Sequence, residues 1–236
     1  SLGLIFVSFT GGQRLMERTR AIPGIQQSAV STNKVLRDTY RLLSATLLFS
    51  ALAAGAAMAM NVPPLNPLLV LVGYFGLLFG VNATRNSGSG VLMVFALTGF
   101  MGFTLGPILS LYMQALPNGS QVVMTALGTT GLAFLGISAF AIRSGKDFSH
   151  IGNFLFIGIL TAFVLGLVAF FFSMPMLSVA VSAMFVLLAS GLILWQTSAI
   201  VNGGETNYIM ATVTLYVSIY NLFTSLLHLL GVFGDE

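Results

Sequence analysis

The sequence predicts an all-α fold, a polytopic bundle of seven transmembrane helices, and three observations predict it. Of the 236 residues, 56% are drawn from Ala, Val, Ile, Leu, Met, Phe, Trp, Tyr and Cys and only 6% are Asp, Glu, Lys or Arg, where a water-soluble domain carries about a quarter. Those few charges form islands: Arg14, Glu17, Arg18 and Arg20, then Lys34, Arg37, Asp38 and Arg41, then Arg85, then Arg143, Lys146 and Asp147, then Glu205, Asp235 and Glu236. Between the islands run apolar stretches of about twenty residues or a little more, enough to cross a hydrocarbon core at about 1.5 Å per residue.

Apolar runs broken by Pro, Gly and charge place the spans near 42–60, 67–84, 90–113, 121–142, 151–173, 176–198 and 208–232. The segment before the first span is polar from Met16 to Thr32 and reads as flexible. Ser31-Thr32-Asn33 offers an N-cap from which a short helix, with Lys34, Arg37 and Arg41, runs into the span. Residues 1–15 are apolar with no preceding basic region. Met16 could serve as a natural start, so they read as an upstream extension. The domain division is a tail over 1–41 and a seven-helix transmembrane domain over 42–236.

The links also give an orientation. Asn61 to Pro67, Leu116 to Gly119 and Ser173 to Pro175 are uncharged, whereas the alternate links hold Arg85, then Arg143, Lys146 and Asp147, then Glu205. Every basic residue lies in the tail or in the second or fourth link. The positive-inside rule then puts the N-terminus in the cytoplasm and Asp235 and Glu236 outside. The same rule explains the net charge of +3 and the pI of about 9.5 without nucleic acid, which is excluded as a partner; the lipid bilayer is the medium.

No Asp, Glu, Lys or Arg lies inside a span, which disfavours an ion-coupled pump, since such proteins keep an ionisable residue at depth despite its cost. The last span is the most polar. Thr214, Ser218, Asn221, Ser225 and His228 follow at +4, +3, +4 and +3, one helical face. Two readings of that stripe stay open: hydrogen bonds to neighbouring helices, or a wetted, pH-responsive path through His228. Small residues recur at Gly73, Gly76 and Gly80, at Gly99, Gly102 and Gly106, and at Gly128 and Gly131, a spacing that lets helix backbones approach closely. Gly106-Pro107 predicts a kink in the third span.

Catalytic constellations find no support. There is no cysteine, the two histidines, His150 and His228, are far apart in sequence, and the one carboxylate pair is confined to the extreme C-terminus. Neither a catalytic site, a metal site nor a cofactor is expected. Ser89, in Ser87-Gly88-Ser89-Gly90, follows Arg85 in a loop and lacks the base and oxyanion donors that a serine nucleophile needs.

Three segments carry a resemblance. Thr98-Gly99-Phe100-Met101-Gly102-Phe103-Thr104-Leu105-Gly106-Pro107-Ile108 looks like the signature of the Bax inhibitor (TMBIM) family. Ser31 to Tyr40 and the closing block Gly203-Gly204-Glu205-Thr206-Asn207-Tyr208-Ile209, followed by Leu215 to Phe223, resemble its bacterial YccA branch. The resemblance covers about Ser31 to Gly231. It implies six helices around a central last one in a bacterial inner membrane. It also implies a non-enzymatic modulator of the membrane-anchored ATP-dependent protease FtsH, associated with HflK and HflC, which restrains degradation of membrane proteins and is engaged through its cytoplasmic tail.

Other branches of the family that the chain resembles are described as pH-sensitive calcium leaks, using two aspartates on the last two helices near the cytoplasmic side. The matching positions here hold Gln196 and Ser218. Neither can carry a charge, so a titrating dyad is lost and a neutral Gln196–Ser218 latch is the expectation. A cation leak remains the alternative function.

Overall fold

The structure, a computed structural model, describes residues 23–234, with side chains from residue 32. It is all-helical. The long helices among the described residues are α1 (Pro23–Ala59), α2 (Pro67–Thr84), α3 (Ser89–Ala115), α4 (Gly119–Ser144), α5 (Gly152–Phe171), α6 (Pro175–Val201) and α7 (Tyr208–Phe233), with a short 3-10 turn at Ser149–Ile151 ahead of α5. All seven are long and apolar enough to cross a membrane, α1 through Thr32–Ala59.

Helix ends follow local chemistry. Pro67 opens α2 in the first turn, where its missing N–H costs nothing, and the Asn66 side chain caps it by accepting from the Leu68 N–H at 2.9 Å. Gly145 closes α4 and Gly203 follows α6, both at positive φ, 59° and 76°, where glycine fits without strain.

The largest departure from expectation is at the start of α1. Residues 23–32, expected to be flexible, are helical, and no helix begins at Ser31-Thr32-Asn33. Pro23 suits a first turn, and a helix already nucleated by a long apolar span propagates through Gly and Ser at a cost below about 1 kcal/mol each. The remainder of the expected flexible segment, 16–22, and the expected extension, 1–15, lie outside the described residues.

Burial sorts the helices. Along α7, buried positions occur on every side: Ala211, Thr212, Val213, Leu215, Tyr216, Ser218, Ile219, Leu222, Phe223, Ser225 and Leu227. A helix buried all round is a core helix. Accordingly α7 packs on α1, α2, α3, α4 and α6. The expectation of six helices around it is corrected at α5, which packs on the outer side of α6 and does not reach α7. Gly158 and Gly191 make that contact close, facing Leu188 and Leu155 across the α5–α6 boundary. α2 is peripheral too, with Val81 its buried residue.

The recurring glycines divide into two kinds. On α3, a methyl group at Gly102 would lie 2.2 Å from the Ser50 carbonyl oxygen, and one at Gly106 would lie 2.6 Å from the Ala54 carbonyl oxygen and 2.7 Å from the Ala57 Cβ. These glycines let α1 and α3 touch backbone to backbone. Gly76, Gly128 and Gly131, which share the same spacing, have nothing within 4 Å of that position. Their role as packing residues is corrected: Gly128 and Gly131 of α4 both face outward, because spacing fixes which glycines share a face but not where the face points, whereas Gly76 is the open position between Gly73 and Gly80, which meet Phe100 and Met93 of α3. Pro107 lies buried beside Gly106, and α3 continues through it to Ala115.

Candidate functional site

The interior of the bundle is polar on the half nearer the basic end, and most of its ties run from α7 or α6 to α1. Tyr216, 1% exposed, places its hydroxyl 2.6 Å from Ser50 Oγ on α1 and donates to the Thr98 carbonyl on α3 at 3.2 Å. Thr212 Oγ1 donates to the Thr39 carbonyl on α1 at 3.3 Å and to its own Tyr208 carbonyl at 2.7 Å. Tyr40 Oη of α1 meets Thr197 Oγ1 of α6 at 3.4 Å. With the glycine contact on α3, these bonds fasten the first span to three other helices.

The polar stripe of α7 plays a smaller part than its spacing suggests. His228 bonds across helices, its Nδ1 2.7 Å from Ser182 Oγ of α6. Ser218 is fully buried but donates to Thr214 O one turn back, at 2.7 Å. Thr214 and Asn221 are half-buried, and Ser225 is buried. The residues that tie α7 to its neighbours, Thr212 and Tyr216, lie one turn apart on another face. The missed signal was a tyrosine, which in an apolar helix reads as packing although its hydroxyl seeks a partner when buried.

The neutral latch is corrected as well. Ser218 Oγ is engaged with its own helix, and Gln196, 1% exposed, leaves Nε2 without a hydrogen-bond partner among the described residues. Thr39 Oγ1 and Ser138 Oγ are likewise buried without partners. A serine on a helix reaches the carbonyl four residues back at only a small cost to the helix, and this local bond wins over one that must span two helices.

The basic end is a built surface. Lys34, Arg37 and Arg41 are exposed on one stripe of α1, and Arg85, Arg143, Lys146 and His150 are exposed in the links at the same end. Among the described residues the one ion pair is Arg37 to Asp38, at 3.4 Å. The Asp147 carboxylate sits below the usual carboxylate range because the Ser149 hydroxyl and backbone N–H both donate to it.

The links are stitched together. Ser198 Oγ donates to the Lys146 carbonyl at 2.9 Å and accepts from the Phe148 N–H at 3.0 Å. Asn207 caps α7 by accepting from the Ile209 and Met210 N–H groups, and its Nδ2 donates to the Arg85 carbonyl and to Asn86 Oδ1, each at 3.0 Å. The block from Gly203 to Ile209 therefore has a physical job: Gly203 turns the chain, Glu205 accepts from the Asn207 N–H at 2.7 Å, and Asn207 joins two links.

Among the described residues no three His, Cys, Asp or Glu side chains gather as metal ligands would. What the arrangement offers chemically is a rigid neutral interior under a cationic face.

Comparison with known proteins agrees with this architecture. The family model described as inhibitor of apoptosis-promoting Bax1 matches residues 32–235. The chain is 50% identical over 202 residues to an uncharacterized protein of Pseudomonas aeruginosa, covering 86% of this chain and 90% of that one. It is 46% identical over 217 residues to the modulator of FtsH protease YccA of Escherichia coli K12, covering 92% of this chain and 98% of that one. The same identity and coverage hold for the inner membrane protein YccA of a second Escherichia coli strain. These matches span the glycine contact of α3, the tyrosine ties of α7 and the stitched links alike, and the chain belongs to the Bax inhibitor-1 family of membrane proteins as a close homologue of YccA.

Proposed function

We propose that the chain is an inner-membrane modulator of the FtsH protease, acting without chemistry of its own. It binds the protease together with HflK and HflC and restrains degradation of other membrane proteins. The observation that carries this reading is the 46% identity, over 92% of the chain, to a protein named as a modulator of FtsH protease. The N-terminus and the basic end face the cytoplasm in this reading, where the positive-inside rule puts them.

The mechanism rests on mechanics. A protease that unfolds processively needs a polar handle, and residues 16–30 precede the apolar span Thr32–Ala59, those from Pro23 onward forming the polar first turns of α1. Pulling on that handle loads α1 first, and α1 is the helix held by Tyr216, Thr212 and Thr197 and by the close approach to Gly102. Extracting it exposes several polar groups to hydrocarbon at once, each costly there. The protease engages the tail, stalls at α1 and stays occupied.

Affinity purification from native membranes in mild detergent tests this reading. The full chain is expected to recover the protease, and a chain lacking residues 16–30 to lose most of it; absence of protease with the full chain would contradict the proposal. The leak alternative draws no support from the positions its mechanism needs, since neither Gln196 nor Ser218 ionises near neutral pH.

A further inference from the structure

Near the basic end, on the outer face of the bundle, a groove of about 340 Å³ opens between α4 and α6. It is lined by Gly136, Ile137 and Phe140 of α4 and Ser190, Gly191 and Leu194 of α6. Its wall is effectively apolar, because the Ser190 hydroxyl is spent on the Val186 carbonyl of its own helix at 2.7 Å. Gly136 makes the hollow: nothing lies within 4 Å of where its side chain would be. Gly191 is backed by Leu155 of α5, which closes the α6 side.

This groove does not end blindly. A second hollow of about 450 Å³, lined by α4 residues alone, adjoins it: it shares Gly136 and Phe140 with the first and adds Ala139, Arg143 and Ser144 at the end of α4. The two meet at Gly136 and Phe140 as a shallow trough along α4, apolar toward α6 and cationic at Arg143. The cationic end has a firm edge, since the Phe140 ring packs on Phe148 with centroids 6.2 Å apart, and Phe148 is tethered through its N–H to Ser198. Lys146 is exposed three residues after Arg143, in the link that follows α4, and Asp147, the acid of this link, already accepts two bonds from Ser149.

The dimensions and charge match one kind of occupant. From Gly136 to Ser144 the helix rises about 12 Å, most of the roughly 15 Å that one leaflet contributes to the hydrocarbon core. A guanidinium at headgroup depth pairs with a phosphate through two parallel hydrogen bonds. We propose that this trough is a binding site for an anionic glycerophospholipid, one acyl chain lying along Gly136 between α4 and α6 and the phosphate held at Arg143 and Lys146. The site is independent of the protease reading, because it lies on the lipid-facing side of α4 and involves neither the tail nor α1.

Native mass spectrometry of the full chain tests it, with phosphatidylglycerol and phosphatidylcholine of identical acyl chains supplied in equal amounts. The parent chain is expected to retain the glycerol lipid preferentially. Arg143→Gln should reduce that preference about fivefold, the worth of one basic residue at an anionic surface. Gly136→Leu, whose side chain enters open space, should lower retention of both lipids by filling the trough. A phosphatidylglycerol carrying a photoreactive acyl chain should label peptides around Phe140 and Leu194 in the parent and not in Gly136→Leu. Equal retention of the two lipids by the parent, or an Arg143→Gln chain with unchanged preference, overturns the proposal. Labelling elsewhere on the bundle overturns it independently of whether Gly136→Leu folds.

Discussion

Gly102→Leu is expected to lower the melting temperature of the detergent-solubilised chain on the order of 10 °C, the consequence of about 3 kcal/mol or more of overpacking. At Gly102 a single added carbon would meet the Ser50 carbonyl at 2.2 Å and Ser50 Oγ at 2.6 Å. The obstacle is backbone, which cannot swing aside as a side-chain tip can, so α1 must move away from α3. That movement also breaks the Ser50 bond to Tyr216, coupling two elements that hold the first span. Gly128→Leu is the matched control. It makes the same chemical change in a helix interior but points into open space, and its melting temperature should stay within about 2 °C of the parent, since removing a helical glycine carries no packing penalty there. Equal losses in the two variants would show that helix flexibility, and not the α1–α3 contact, is what the glycines provide.

Tyr216→Ala is expected to be similarly severe, about 3–5 kcal/mol, because it opens a cavity at the centre of the bundle and strands Ser50 Oγ. The hydroxyl can be separated from the ring. Tyr216→Phe keeps the shape and removes the two bonds to Ser50 and Thr98, which should cost about 1–2 kcal/mol. Ser50→Ala in the Tyr216→Phe background should then cost much less than it does alone, because the partner it would abandon is already gone. Additive losses in that cycle would mean that the bond contributes nothing to holding α1.

Much of this architecture is legible in the sequence, and the reasons are physical. Length, hydropathy and the interrupting prolines locate the spans, and α2 begins and ends at Pro67 and Thr84 as the pattern predicts. Charge-free and charged links alternate, which fixes the two ends of the bundle before any contact is known. What the sequence does not reveal is direction around each helix. Gly102 and Gly128 sit in equally regular small-residue series, and only the position of α1 makes one a contact and leaves the other facing outward.

The candidate site shows the same division. The stripe from Thr214 to His228 is easy to see because its residues are polar, yet Ser218 satisfies itself within its own helix. Thr212 and Tyr216 carry the bonds to α1 from another face. The Gln196–Ser218 pairing fails for the same reason, since a local bond competes with the cross-helix one. The helical start at Pro23 is hidden by composition, because Gly24 and Ser28 weaken a helix only slightly when a strong apolar span extends it.

In the proposed function, the chain restrains the protease by presenting a handle attached to a bundle that resists extraction. The most direct test is the half-life of a membrane-protein substrate in proteoliposomes containing the purified FtsH protease and ATP, with and without an equimolar amount of the full chain. The full chain is expected to lengthen the substrate's half-life and to be degraded slowly itself, and the chain lacking residues 16–30 to leave the half-life unchanged. A substrate half-life that the full chain does not alter, or one that the shortened chain lengthens equally, would contradict it.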